Sequence, residues 1–132
     1  DGDALATSVM SFGANTALHT PQPTSDVNKI QAAIAAVPDD PSGQEMMCRA
    51  LATAVAQHQK FADLSKRQLM IVLVTDESGD MASNHAELES TIATAKAARC
   101  PVYVLGREAV FGYPYAHLRW IDPETKIGFW LR

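Results

Sequence analysis

The sequence is poor in three things. The first is long hydrophobic runs: the longest, Leu69 to Val74 (LMIVLV), is far short of the roughly 20 apolar residues that cross a bilayer, so no membrane span is expected. The second is positive charge. Lys and Arg number 11 against 15 Asp and Glu, a net charge of −4. Nucleic acid and anionic membrane surfaces both need a basic face, so neither is expected as the main partner. The third is cysteine. Cys48 and Cys100 lie far apart and form no metal-spacing motif. They read as two buried thiols acting as small apolar residues, a disulfide being unsupported, and they leave the compartment open. His19, His58, His85 and His117 are scattered, with no pair at ligand spacing on a helix, which argues against zinc. There is no G-x-S-x-G elbow, no phosphate-cradling loop and no G-x-G-x-x-G.

What is present is an ordinary globular composition: 132 residues, 47% hydrophobic and 20% charged, enough for one domain. Leu5–Phe12 is a strand candidate. Gly13-Ala14-Asn15 signals a turn, and Thr16–Thr20 can pair back as a short hairpin before Pro21 and Pro23 bar further pairing. A helix follows, capped by Thr24 or Ser25, with Val27, Ile30, Ile34 and Val37 at helical spacing as its inner face, stopped by Pro38. A second helix starts near Gln44 and fades around Leu64, with Met47, Leu51, Ala54, His58 and Phe61 as its stripe.

The apolar run Leu69–Thr75 lacks alternation and reads as a strand covered on both faces, as in a parallel sheet. Ser83 is placed to cap a third helix whose Leu88, Ile92 and Ala95 face inward. Val102–Leu105 is the next strand, which makes 69–105 one βαβ unit. The tail Ala116–Arg132 reads as an added hairpin around Pro123-Glu124-Thr125. Its aromatics, with Phe111, Tyr113 and Tyr115, either pack it down or form a binding surface.

Between strand and helix lies Thr75-Asp76-Glu77-Ser78-Gly79-Asp80. In open α/β sheets ligands bind outside the carboxyl ends of the strands, and Asp76 falls there. A carboxylate held by a rigid strand yet reaching solvent can ligate a metal, act as nucleophile or base, or simply end the strand in water.

The order hairpin, helix, loop, helix, LMIVLVTDESGD, helix, CPVYVLG resembles a von Willebrand factor type A (VWA) domain over about residues 4–110, with an extension over about 111–132. The stretch VLGREAVFGYPY, Val104 to Tyr115, is similar to one in bacterial members of unknown role. The resemblance implies a Rossmann-like, open, mostly parallel sheet flanked by helices, a non-enzymatic protein-interaction module, and a metal-ion-dependent adhesion site. That site would hold Mg²⁺, or Mn²⁺ or Ca²⁺, with an open position for a carboxylate from a protein ligand.

In the family three loops build the site. The third maps onto Asp76. The second, aligned on Ala50-Leu51, puts Gly43 on its glycine and Glu45 where the family has threonine. The first, D-x-S-x-S, is missing, and so is the central strand that carries it. The chain, which starts at Asp1 rather than Met and reads as processed or excised, is therefore expected to be either a single VWA-like domain or the later part of one. An N-terminal segment or a second chain would complete the sheet, or the sheet would be rearranged.

Two other alignments compete. Asp76, Ser78 and Asp80 match the first loop instead, all pointing at one cation. Asp76, Ser78, Asp80 and Glu87 also fall at positions one, three, five and twelve of an EF-hand-like loop, although Met81 stands where that loop needs glycine. Plain readings stand beside these. Ser42 and Glu45 fit a capping box, Ser78 fits a cap, and Glu77 and Asp80 fit solvated carboxylates. A metal-assisted hydrolase using Asp76 with Glu77 or Asp80, and a structural fragment with an idle acidic loop, are the remaining classes of function.

Overall fold

The computed structural model describes residues 5–75 and 82–105, and the backbone of 119–121 and 128–130. Among the described residues it is a mixed α/β structure of three helices and three two-stranded sheets. The chain divides into two compact units, one of Asp1–Met70 with Gly79–Pro101, the other of Ile71–Ser78 with Val102–Arg132.

The first unit opens on a hairpin. Strands β1 (Met10–Phe12) and β2 (Thr16–Leu18) pair antiparallel around the expected turn at Gly13-Ala14-Asn15. The ordered strand is shorter than the expected 5–12. Pro21 and Pro23 do not end the pairing, however. Thr7 and Thr24 exchange both backbone hydrogen bonds, at 2.8 and 2.9 Å. The register Met10↔Leu18 would carry Thr7 to Pro21, so the ladder skips the prolines, which have no N–H to offer, and resumes beyond them.

Helix α1 (Val27–Ala35) is capped by Asp26, one residue past the expected cap: its carboxylate accepts from Asn28 N at 3.0 Å and Lys29 N at 3.4 Å. The expected inner face of α1 is corrected. Val27, Ile34 and Val37 are exposed and Ala33 is the buried residue.

Helix α2 (Met47–Leu64) starts later than Gln44 and buries Cys48, Ala50, Val55 and Ala62, while the stripe read from spacing is only half-buried. Helix α3 (Ala82–Ala97) packs beside it. Here too the expected face is corrected. Leu88 and Ile92 are exposed, and Asn84 and Thr91, two turns apart, are buried.

Both long helices end in the same way. Arg67 N donates to Ala62 O and Lys66 N to Asp63 O; Cys100 N donates to Ala95 O and Arg99 N to Lys96 O. These are Schellman closures with Lys66 (φ 53°) and Arg99 (φ 51°) in the left-handed position usually taken by glycine. No Gly or Asn marked either end in the sequence.

The second unit holds β3 (Ile71–Val74) and β4 (Val102–Leu105), parallel and in register Ile71↔Val102 through Val74↔Leu105. The expected covering of both faces is corrected. Leu73 is 6% exposed, but Val72, Val74, Tyr103 and Leu105, which the pleat puts together on the other face, are each more than half exposed. The tail forms the expected hairpin, β5 (Arg119–Ile121) against β6 (Gly128–Trp130), with Trp120 opposite Phe129.

Candidate functional site

Asp76, Glu77, Ser78 and Asp80 lie outside the described residues. The backbone on either side of them is described. Before them, Thr75 N donates to Leu105 O at 3.0 Å, so the parallel ladder runs up to the residue preceding Asp76. After them, the first turn of α3 is tied to the loop that precedes α2. Asn84 Nδ2 donates to Glu45 O at 2.6 Å, Asn84 Oδ1 accepts from Cys48 N at 3.1 Å, and Ser83 Oγ meets Met46 Sδ at 3.4 Å.

Asn84 thus caps α2 from outside. The side chain of the N-cap residue, Met46, makes no cap hydrogen bond, and the amide of Asn84 satisfies one of the orphan N–H groups in its place. The capping box expected from Ser42 and Glu45 is corrected, because both precede the cap position; Ser42 Oγ instead accepts from Gln44 N at 3.1 Å. The expected cap at Ser83 is corrected as well, since Ser83 is inside α3. Thr91 completes the seam by donating to Cys48 O at 3.1 Å. The Cys48 thiol in this seam is pushed up from its ordinary value by burial, then by the nearby Glu87 carboxylate, against a smaller opposing pull from the Thr91 hydrogen bond. Both cysteines are buried and neither is in a disulfide.

Glu45 is half-buried, in a loop shaped by Gly43 at φ +63° and pinned to the hairpin turn. Met46 N donates to Gly13 O at 3.1 Å. Asp40 accepts from Ala14 N at 3.0 Å and from Ser42 N at 2.9 Å. These bonds hold the Asp40 carboxyl below its usual range, the Ser42 side chain contributing most, then the Ser42 and Ala14 backbones. A Cβ at Gly13 would run into the Asp40 carboxylate, which would have to move aside.

The EF-hand spacing is overturned. A strand, β3, precedes Asp76, α3 is already helical at Ala82, the seventh position of such a loop, and Glu87 is bound to Arg49 at 2.7 Å. Among the described residues no three His, Cys, Asp or Glu side chains gather to hold a metal. One pairing that the sequence reading missed is Ser11 Oγ with His19 Nε2, at 2.8 Å across the hairpin. The hairpin register alone could have found it: Ser11 faces Ala17, and His19 follows on the same side. The bond joins the two strands of the hairpin.

No family model, no curated protein and no solved structure matches the chain.

Proposed function

We propose that the chain is a non-enzymatic protein-interaction module of VWA-like kind, in which a hard cation held near the end of β3 receives a carboxylate from a partner protein. The observation that carries this reading is the parallel β3–β4 ladder maintained through Thr75, the residue before Asp76 in the sequence, because ligands of open α/β sheets bind outside the carboxyl ends of the strands. Asp76, with Ser78 and Asp80 after it in the sequence and Glu45 where the family resemblance aligns it, would supply oxygen donors only, a set that suits Mg²⁺, Mn²⁺ or Ca²⁺. Ser42 and Glu77 would border the site and meet the ligand. When bound, the cation would polarise and orient the incoming carboxylate.

In this reading the β3–β4 pair is part of a larger, open, mostly parallel sheet of Rossmann-like kind, completed by a further strand. The C-terminal hairpin is an appendage to it.

The test is calorimetric titration of Mg²⁺ and Mn²⁺ into the chain and into Asp76→Ala. A saturable heat in the parent that disappears in the variant is the expected result. Equal heats from the two proteins would remove Asp76 from the site and the reading with it.

A further inference from the structure

Helices α2 and α3 are joined at their ends. Gln68, just past the end of α2, donates its Nε2 to Arg99 O, just past the end of α3, at 3.2 Å. These joined ends carry Lys66 and Arg99 at the two left-handed positions and Lys96 in the last turn of α3. Lys60 adds a further cation one turn before Leu64, the last residue of α2, which is 76% exposed. Lys60, Lys66, Lys96 and Arg99 are all exposed, and among the described residues none of them has a carboxylate at ion-pair distance. Asp63, beside Leu64 in the chain, is bound to Gln59 instead, at 2.7 Å.

A cation at a helix C-terminus is favourable, but that gain does not exceed the cost of holding a side chain in the left-handed region. Glycine at Lys66 and Arg99 would close both helices without that cost. Helix closure alone therefore does not account for a charged side chain at both positions. In a chain of net charge −4, cations gathered about an exposed leucine make a surface complementary to carboxylates set around an apolar side chain. We propose that the joined ends of α2 and α3 dock an acidic segment of a partner protein, its carboxylates on Lys60, Lys66, Lys96 and Arg99 and an apolar residue against Leu64. A peptide segment fits this surface better than a chain of phosphates, which would leave Leu64 uncovered.

The proposal does not depend on the cation site, and its test is run in EDTA so that the two fail separately. A short labelled peptide, glutamates around a central leucine, is titrated with the full chain and followed by fluorescence anisotropy. Saturable binding that weakens as salt rises is expected. Lys66→Gly combined with Arg99→Gly suits both left-handed positions, so it should keep or raise the urea midpoint while weakening the peptide about fivefold. Leu64→Ser should weaken this peptide but not its counterpart with glutamine at the centre. Should the double glycine variant fail to fold, Lys60→Gln with Lys96→Gln decides by the same loss of binding. No saturable binding at low salt, or binding undiminished in the charge variants, would overturn the proposal. Equal affinity for the two peptides, or inorganic polyphosphate bound as tightly as the leucine peptide, would overturn it in favour of a plain polyanion.

Discussion

The α2–α3 seam and the β3–β4 pair reverse the usual expectation about which side chains are inside. In the seam, Asn84 and Thr91 are buried while Leu88 and Ile92 on the same helix are exposed. In the pair, Val72, Val74, Tyr103 and Leu105 form an apolar face that is bare. The difference teaches that burial follows the availability of a partner. The backbone at the start of α2 offers an orphan N–H and two carbonyls, and only polar side chains of the right reach can answer them. A valine face gains nothing until another layer arrives to cover it.

The comparison is broken most directly at Asn84. Asn84→Leu leaves Cys48 N–H and Glu45 C=O without that partner and should cost about 2–4 kcal/mol, read as a lower urea midpoint with an unchanged slope. A loss below about 0.5 kcal/mol, the range of ordinary surface changes, would show that the seam does not depend on its polar bonds. Thr91→Val should cost less, about 1 kcal/mol, because Cys48 O lies within α2 and keeps the helix bond available to it.

The clasp between turn and loop sharpens the contrast between buried and exposed polar contacts. Gly13→Ala should displace the Asp40 carboxylate. In an Asp40→Ala background the same substitution should cost less, and the coupling in a double-mutant cycle measures the clasp. A coupling of zero would mean that the carboxylate moves aside freely.

The seam also has a pH signature. A thiol whose folded pKa is raised contributes stability that is complete below the unfolded value, near 9.0, and is lost as pH rises through the higher folded value. Alkaline unfolding curves should therefore show a loss above that value that Cys48→Ala lacks. Identical alkaline curves for the two proteins would dispose of it.

The bare face should give the smallest response. Val74→Thr keeps the backbone and should change stability by less than about 0.5 kcal/mol. Leu73→Ala, on the opposite side of the same strand, should cost about 2–4 kcal/mol. Equal costs would mean that the two faces are not so different as their exposures suggest.

The fold was legible in part, and the candidate residues of the acidic loop lie outside the described residues. Asp76 follows an apolar run whose strand the structure contains, and the hairpin turn at Gly13-Ala14-Asn15, the βαβ order of elements and the tail hairpin could all be read in advance. The inner faces of α1 and α3 could not. Spacing identifies an apolar stripe but says nothing of whether a partner surface exists for it. The two Schellman ends were invisible because Lys66 and Arg99 carry no left-handed signature. The cap on α2 was missed because it comes from Asn84, on another helix, whereas local reading looked for it at Ser42.

The sequence by itself determined the order of strands and helices, though not their ends, and which residue follows β3. Those are set by local runs, turns and spacing. Only the tertiary structure decided that Asn84 caps a helix to which it does not belong, that Asp40 clasps a turn distant in the chain, and that one face of the strand pair lies open. Each of these depends on what comes within a few ångströms in space, and no periodicity in a single chain records that.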